Sequence, residues 1–421
     1  MTAAMTPAAA VWLIAGLATL GVILRPFRWP EAVWAVAGAA LLVGLGLLPA
    51  ADAWRGVRRG ADVYLFLVGM MLLAELARRE GLFDWLAGFA VRAARGSAAR
   101  LLALVYGIGV LITALLSNDA TAVVLTPAVC AAARAARARP MPHLLACAFV
   151  ANAASFVLPI SNPANLVVYG AHLPPLAEWL RLFALPSALA VGATWAALRL
   201  TQRRALAEPI AVEAGRMPLP RGGAAAGLGI LATAAVLLWA SATGRDLGLP
   251  TFLAGTATTL LVLLLTRQGP AGVVADVSWG VLPLVAGLFV LVEALERTGL
   301  LATLARLLRD TAAADPALAG WGGGVLVALA SNLVNNLPAG LLAGAVVAAA
   351  EVPPRIAGAI LIGVDLGPNL SVTGSLATIL WLVAIRRAGL DIGAWQFLRL
   401  GALVMPPALL LALAALLHQP F

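Results

Sequence analysis

The sequence predicts an all-α polytopic membrane protein built from two inverted-topology repeats, with about 10 crossings and two re-entrant hairpins. Of its 421 residues, 62% are hydrophobic and 11% are charged, whereas roughly 25% of the residues of a soluble domain are charged. Apolar runs of roughly 20 residues, enough to cross about 30 Å of hydrocarbon, recur from end to end. A Ser-Asn pair interrupts the apolar sequence in each half, at Ser117-Asn118 and at Ser331-Asn332.

Apolar runs define the first repeat. Its predicted segments, in chain order, are 8 to 24, 31 to 50, 61 to 77, a broken pair around 101 to 135, a broken segment at 142 to 172, and 180 to 199. The first run has no basic stretch before it and no cleavage site of small residues. This pattern indicates a retained span instead of a signal peptide.

The second repeat follows the same order. Its segments are 223 to 242, 249 to 266, 276 to 292, a broken segment at 320 to 350, a second broken segment at 354 to 386, and 395 to 417. A long polar stretch that contains several arginines lies between the two repeats, and we interpret it as the linker that connects them. The predicted domains are therefore a first repeat at 1 to 199, a cytoplasmic linker at 200 to 222 and a second repeat at 223 to 421.

Residues that match at a fixed spacing indicate an internal duplication. A second polar break follows each Ser-Asn pair by 44 residues, at Ser161 and at Ser375. Away from the breaks, Glu75 aligns with Glu293 at an offset of 218. At the same offset Arg79 aligns with Arg297, and Gly81 aligns with Gly299. We interpret these glutamates as solvated or paired structural carboxylates. If each Ser-Asn segment is a re-entrant hairpin, each repeat crosses the membrane an odd number of times and the repeats have opposite orientation.

Every strongly basic side chain of the protein is an arginine. The 28 arginines give a formal net charge of +9, and lysine is absent. Without lysine the chain cannot hold a P-loop lysine or a Schiff-base lysine. The arginines lie in short clusters between apolar runs, as the positive-inside rule predicts, which argues against nucleic-acid binding. With the linker in the cytoplasm, the clusters at 25 to 28, 78 to 100 and 134 to 139 also lie inside, and both termini lie outside.

The sequence does not indicate catalytic, metal or cofactor sites. Cys130 and Cys147 lack a Cys-x-x-Cys or Cys/His ligand spacing, so we predict neither a disulfide framework nor a metal site. No pair of nucleophile and base and no cofactor fingerprint is recognisable. We therefore predict that the chain is not an enzyme and needs no cofactor.

The broken segments expose backbone groups at membrane depth. Such groups are tolerated only where they are buried in protein or line a water-filled cavity, and paired interrupted segments are the best sequence indication of a transporter's substrate site. Helix N-termini supply N–H donors, and small amide and hydroxyl side chains add further donors and acceptors. Such a site can bind a neutral hydroxylated solute or an anion. The polar residues at the two tips are Ser117, Asn118, Ser331, Asn332, Asn335 and Asn336.

One tip carries an acid and the other does not. Asp119 directly follows the first Ser-Asn pair, whereas Leu333 stands at the equivalent position. A charge inside a membrane segment costs several kcal/mol and is normally functional. Because burial favours the neutral form of a carboxyl group, we predict that Asp119 couples transport to protons, with Asp365 as a second candidate. Pairing of Asp119 with an arginine is the alternative.

Four stretches of the sequence carry the motifs of a known family. They are DVYLFLVGMMLLAELAR (62 to 78), SNDATAVVLTP (117 to 127), SNLVNNLPAGLLAGA (331 to 345) and DLGPNLSVTGSLATILWL (365 to 382). These stretches resemble arsenite/antimonite efflux permeases of the ArsB type, within the ion transporter superfamily. The Ser-Asn tips are shared with sodium-coupled dicarboxylate carriers and sodium/proton antiporters. DLGP followed by GSLAT and LW is more particular to arsenite permeases.

The resemblance implies export of arsenite and antimonite from the cytoplasm through the bacterial inner membrane, driven by the proton gradient. It also implies a discontinuous helix in each repeat and, in some members, a soluble ATPase subunit. Asn369 stands where some members carry a lysine, so a cationic group at the site is not implied. By motif position, the substrate would be lined by Ser117, Asn118, Ser331, Asn332, Asn335, Asn336, Ser161, Asn162, Asn165, Thr373, Ser375 and Thr378.

Other functions stay open at this point. A sodium-coupled dicarboxylate or sulfate carrier would use the same tips, although SNLVNN lacks the Ser-Asn-Thr form of those carriers and an ionised Asp119 would repel an anion. A sodium/proton antiporter would use Asp119 as its ion carboxylate. A non-transporting scaffold or a membrane enzyme has the least support. The predicted partners are a metalloid substrate, protons, membrane lipid and an optional soluble ATPase subunit, with no nucleic acid.

Overall fold

The computed structural model describes residues 6–211 and 218–419. Within these ranges the chain forms 21 α-helices, and its β-structure is limited to an isolated bridge between Ser97 and Pro209. The predicted all-α fold is confirmed. The predicted linker at 200 to 222 includes residues 212 to 217, which lie outside the described ranges, and the division into domains stays a prediction.

Eleven of these helices precede the gap in the described residues. A π-helical segment at Ala120–Leu125 leads into the seventh, and short 3₁₀ turns lie at Pro26–Arg28 and Gly170–His172. The α-helices are α1 Pro7–Leu24, α2 Glu31–Gly44, α3 Ala50–Arg59, α4 Ala61–Arg79, α5 Leu82–Ala94, α6 Ala98–Leu115, α7 Thr126–Ala135, α8 Pro140–Ala153, α9 Pro163–Tyr169, α10 Leu176–Thr201 and α11 Arg203–Leu206.

The remaining described helices form the second half. Two 3₁₀ turns, at Gly367–Asn369 and Val372–Gly374, interrupt it between α19 and α20. The α-helices are α12 Arg221–Ala242, α13 Gly248–Thr266, α14 Pro270–Asp276, α15 Val281–Arg297, α16 Leu300–Ala314, α17 Pro316–Val334, α18 Asn336–Ala350, α19 Pro354–Leu366, α20 Leu376–Arg387 and α21 Ala394–His418.

The two halves match helix by helix. With α11 assigned to the linker, α1 to α10 correspond in order to α12 to α21. Their packing is reciprocal: α4 contacts α13 as α15 contacts α2, and α9 contacts α18 as α20 contacts α7. The last helices of the two halves, α10 and α21, contact each other. This arrangement agrees with an internal duplication, and the opposite orientation of the repeats stays a prediction.

Equivalent glycines allow two close approaches between the halves. A Cβ atom added at Gly69 on α4 would lie 2.3 Å from the carbonyl oxygen of Thr251 on α13. At Gly287, which aligns with Gly69 at the offset of 218, an added Cβ atom would lie 2.8 Å from the backbone of Ala35 on α2. Backbones can approach this closely only where a side chain is absent. Both contacts between the halves therefore depend on glycine.

Seven described helices are long and apolar enough to cross a membrane, or nine spans if each bent pair counts as one. The bent pairs are α3 with α4, at 48°, and α14 with α15, at 42°. The other predicted crossings fall outside this group because α2 has 14 residues and because α8–α9 and α19–α20 are interrupted. The seven include α6 and α17, the first arms of the two predicted hairpins. The number of crossings stays a prediction.

An ion-pair cluster joins α4 to α14. The Glu75 carboxylate lies 2.5 Å from a guanidinium nitrogen of Arg78 and 3.0 Å from one of Arg79. Both arginines also reach Asp276, at 2.8 and 2.7 Å. The predicted pairing of Glu75 with arginine is thus present.

A second cluster joins α3 to α15. A guanidinium nitrogen of Arg59 lies 3.0 Å from Glu293 and 2.8 Å from Glu296, and Asp52 pairs with Arg297. Glu293 is the residue that aligns with Glu75. The two clusters therefore occupy equivalent places in the two halves.

Candidate functional site at the helix breaks

The first tip, residues 117 to 119, follows the end of α6. Its Asn118 N–H donates to the carbonyl oxygen of Ser161 at 3.1 Å, and the Ser161 hydroxyl donates to the carbonyl oxygen of Ala114 at 3.3 Å. The Ser117 hydroxyl accepts from the N–H of Ala120 at 3.2 Å and caps the helix that follows. The tip is therefore tied to the loop between α8 and α9 through backbone groups that the break leaves free.

The first loop, residues 154 to 162, separates α8 from α9. Asn162 caps α9 by accepting from the N–H of Ala164 at 3.0 Å. The amide of Asn165 donates to three loop carbonyl groups, at 2.9, 3.3 and 3.2 Å, and the residue is completely buried. Proline at the first position of α9 fixes where the helix resumes, since it has no N–H to lose there. Asn165 thus holds the loop together.

The second tip, residues 331 to 336, comprises the last turn of α17, the single connecting residue Asn335 and the first residue of α18. Asn335 has φ 72° and ψ 152°, a region that residues other than glycine rarely adopt. Its side-chain oxygen accepts from the N–H of Leu337 at 3.3 Å, and its amide donates to the carbonyl oxygen of Thr373 at 3.2 Å. The surrounding contacts therefore hold a strained backbone at this tip.

The second loop, residues 367 to 375, separates α19 from α20 and binds the second tip. The amide of Asn332 donates to the carbonyl oxygens of Ala328 and Gly367, at 2.8 and 2.9 Å. Its side-chain oxygen accepts from the Ser371 hydroxyl at 2.7 Å, and its carbonyl oxygen accepts from the Thr373 hydroxyl at 3.0 Å. Each tip is thus bonded to the loop of its own half.

A buried hydrogen-bond network joins the two broken helices across the halves. The Asn152 amide donates to Asn369 at 3.0 Å and to Thr378 at 3.2 Å, and its oxygen accepts from Ser375 at 3.2 Å. The Asn369 amide donates to the carbonyl oxygen of Phe149 at 3.1 Å. The buried Asn369 side chain therefore forms hydrogen bonds to residues of α8. Asn152 is a further central residue, which was not among the predicted site residues.

A cavity of about 490 Å³ lies against the first tip. Buried Ser117 and half-buried Asp119 line it, and so do Arg78 and Asp276, whose side chains are each 45% exposed. The exposed groups belong to the ends of α4 and α14, and the end of α20 contributes Arg387. The cavity, called here the large cavity, thus extends from the charged helix ends to the first tip.

A small cavity of about 20 Å³ lies between the tips. Its polar lining comes from Asn118, Asp119, Asn162 and Asn336, so both halves contribute. This volume is close to that needed for about one water molecule. Asp119 lines both cavities and stands at their junction.

The predicted site residues divide into two groups. Those on the large or the small cavity are Ser117, Asn118, Asn162 and Asn336. The others do not line either of these cavities: they are Ser331, Asn332, Asn335, Ser161, Asn165, Thr373, Ser375 and Thr378. Ser331 donates to the carbonyl oxygen of Val327 in its own helix, and the rest bond the tips, the loops or the two halves. Sequence reasoning did not identify Met70, Met71 and Arg387 on the large cavity.

The described residues offer no grouped side chains for a metal ion. No cluster of three or more histidine, cysteine, aspartate or glutamate side chains occurs within 6–211 and 218–419. Cys130 and Cys147 are free and buried. In this part of the chain, the site chemistry therefore rests on amides, hydroxyls and carboxyl groups.

The sequence profile described as citrate transporter (CitMHS) matches residues 11–368. The chain belongs to this family. An arsenical pump membrane protein of Yersinia enterocolitica is 27% identical to this family member over 395 residues, which are 90% of the chain and 91% of the relative. An arsenical pump membrane protein of Escherichia coli is 26% identical over 400 residues, covering 91% and 92%. These relatives confirm the resemblance to arsenite permeases.

Two solved transporters share the fold of this CitMHS member. The Alcanivorax borkumensis YdaH transporter superposes with a TM-score of 0.61 at 17% identity, covering 95% of this chain and 97% of its own. Neisseria gonorrhoeae MtrF superposes with a TM-score of 0.56 at 13% identity, covering 98% and 96%. Family and fold together establish a multi-pass membrane transporter, which is consistent with the prediction that the chain is not an enzyme.

Proposed function

We propose that this transporter exports arsenite and antimonite from the cytoplasm across the bacterial inner membrane by proton antiport. The observation that carries the proposal is the position of Asp119. It lies where the large cavity meets an amide-lined space between the two tips. The arsenical pump relatives, which are 26–27% identical over most of the chain, support the same substrate class.

The site chemistry suits a neutral hydroxylated solute. Near pH 7, arsenous acid is uncharged and carries three hydroxyl groups that both donate and accept hydrogen bonds. On the large cavity, the Ser117 hydroxyl and a protonated Asp119 can replace part of its hydration without a compensating charge. The amides of Asn118, Asn162 and Asn336 line the small cavity, which has room for about one of its hydroxyl groups. Modest affinity also suits a carrier, because a substrate that is held too tightly is not released.

Asp119 is the proposed proton carrier. No ion pair joins it to an arginine among the described residues, and its N–H bonds to the side-chain oxygen of Asn118 at 2.9 Å. Protonation would remove its charge and turn the group from an acceptor into a donor toward a bound hydroxyl. The proton and the substrate would then both be bound and released at the Asp119 carboxyl group. Asp365, in the second half, is the second proposed proton site.

Access to the site agrees with loading from the cytoplasm. The mouth of the large cavity carries Arg78 and Arg387, and the positive-inside rule places such clusters on the cytoplasmic side. Substrate would enter there and leave on the opposite face. A soluble ATPase subunit, if this chain uses one, would bind to the same cytoplasmic face, and membrane lipid would surround the apolar helix faces.

A sodium-coupled carboxylate carrier is the second candidate, because the family to which the chain belongs is described as citrate transporters. It would use the same tips for sodium and the anion. In the large cavity, the carboxylates of Glu75 and Asp276 are paired with arginines of α4. The first proposal is favoured by Asp119, which has no such ion pair among the described residues and would be negatively charged when ionised. A multiply charged anion would be repelled there. A sodium/proton antiporter would use Asp119 alone and leave the amides of the second tip without a substrate.

Everted membrane vesicles test these proposals, because export appears as uptake. Vesicles with an acidic interior should accumulate arsenite without sodium, and Asp119→Asn should abolish the dependence on the pH gradient. Asp391→Asn, which alters an acid 61% exposed at the surface, is the matched control and should transport normally. Uptake that requires sodium and ignores arsenite would replace this proposal with the carboxylate carrier.

A further inference from the structure

Two adjacent methionines contribute the sulfur atoms of the large cavity. Met70 and Met71 lie on α4, and both line the cavity together with Ser117 and Asp119. Met70 is 3% exposed and Met71 is half-buried. The cysteines do not take this place, since Cys130 and Cys147 are absent from the lining and buried. The sulfur presented to the site is therefore thioether sulfur.

The second half shows that helix packing does not require methionine at these positions. At the offset of 218, Leu288 and Phe289 on α15 are the equivalents of Met70 and Met71. Leu288 lines an apolar cavity, and Phe289 packs edge-on against Tyr64 with ring centroids 6.2 Å apart. Sulfur thus occurs in the first half, on the cavity that holds Asp119, while hydrocarbon side chains occupy the equivalent positions of the second half.

Thioether sulfur has a chemistry that matches a trivalent metalloid. It is a neutral, polarizable and soft donor, and trivalent arsenic and antimony are soft centres with an open face beside their lone pair. A thioether cannot lose a proton to form the strong bond that a thiolate forms. Contact with it would recognise the metalloid and still permit release.

We propose that Met70 and Met71 form the soft face of the substrate site and select trivalent metalloid hydroxides over hydroxylated solutes of similar size. This inference rests on the proposed export of arsenite and antimonite. In it, Ser117 and Asp119, which line the same cavity, contact the hydroxyl groups while the two sulfur atoms contact the arsenic or antimony atom. Antimony, the softer centre, gains more from the contact.

The experiment compares Met70→Leu, Met71→Leu and the double variant in everted vesicles. Leucine has nearly the volume of methionine and keeps the helix packed. Met405→Leu is the control, because Met405 is also 3% exposed but lies on α21 away from the cavity lining. Uptake of arsenite and antimonite is measured over a range of concentrations, and boric acid serves as a competing neutral trihydroxide without a soft atom.

We expect KM to rise by about two- to tenfold in the double variant, the scale of weak sulfur contacts, and more for antimonite than for arsenite. The kcat and the inhibition by boric acid should not change. A KM equal to that of Met405→Leu would overturn the inference. So would an equal loss of boric acid affinity, because it would indicate altered cavity shape. Absence of metalloid uptake by the wild-type chain would overturn the proposed function itself, and the inference with it.

Discussion

The side-chain amide of Asn162 donates a 2.8 Å hydrogen bond to the carboxyl group of Asp365. Asn162 precedes α9 in the first half, and Asp365 lies within α19 in the second half. Both side chains are buried, at 3% and 0% exposure. Among the described residues, the other carboxyl oxygen of Asp365 has no hydrogen-bond partner. One amide from the first repeat therefore partly satisfies a deeply buried acid of the second.

The bond between Asn162 and Asp365 should appear as a coupling energy. A cycle of Asn162→Ala, Asp365→Ala and the double variant should give about 1–3 kcal/mol, because each single change leaves a buried polar group unpaired. The free energy of unfolding in mixed micelles is the measurement. Pairing Asn162→Ala with the distant Asp391→Ala should give additive effects. Additivity at Asn162 and Asp365 as well would show that the contact contributes nothing.

Backbone strain at Asn335 predicts an unusual response to glycine. Asn335→Gly should leave the protein about 1–2 kcal/mol more stable than Asn335→Ala, since glycine adopts φ 72° and ψ 152° without a Cβ clash. At the helical neighbour Asn336, alanine should instead be the more stable replacement. Thermal unfolding compares the four variants. If alanine were the more stable replacement at both positions, that result would contradict the strained backbone conformation of Asn335.

Close packing predicts that Gly69→Ala and Gly287→Ala are both destabilising. In each case the new methyl group would meet backbone atoms of the facing helix, which cannot rotate away. We expect a loss of about 1–3 kcal/mol for each, the usual cost of overpacking. Gly107→Ala and Gly192→Ala are matched controls, since an added Cβ atom meets no neighbour within 4 Å at either position. Equal stability of all four variants would show that the helix backbones do not approach closely at Gly69 and Gly287.

The surface pair of Asp391 and Arg386 predicts a small dependence of stability on pH. Arg386 donates to Asp391 at 2.8 Å, and this hydrogen bond holds the pKa of Asp391 below its usual value. A carboxyl group whose pKa is lowered by folding stabilises the protein above its unfolded pKa, and the contribution is lost as the pH falls through the folded pKa. Asp391→Asn should therefore lower the Tm slightly at pH 7 and not at all in strong acid. Because the group is exposed, high salt should abolish the difference.

Local sequence features predicted most of the fold. The apolar runs identified the membrane helices, and the Ser-Asn pairs identified the breaks, because both signals act within one segment. The length of α2 was harder to predict: the helix ends at Gly44 although the apolar run continues to about residue 50. There the chain turns through Gly46, at φ 69°, before α3.

The candidate site was predicted less completely. Asn332 and Asn335 were expected to face substrate, yet their amides bond to backbone carbonyl groups that the second loop leaves free. Asn152 was not predicted as a site residue, because its partners Asn369 and Thr378 lie more than 200 positions away in the sequence. A hydrogen bond between distant segments leaves no spacing pattern in the sequence, so it becomes visible only when the helices are packed.

The burial of both thiol groups has a practical consequence. Cys130 and Cys147 are 3% and 0% exposed, and the chain has no lysine. Maleimide reagents should therefore leave the folded wild-type protein nearly unmodified, and amine-directed labels have no side chain to attack. A single cysteine introduced at an exposed loop becomes a unique reporter without prior removal of the natural ones. Comparing its labelling in right-side-out and everted vesicles would reveal which side of the membrane each repeat presents.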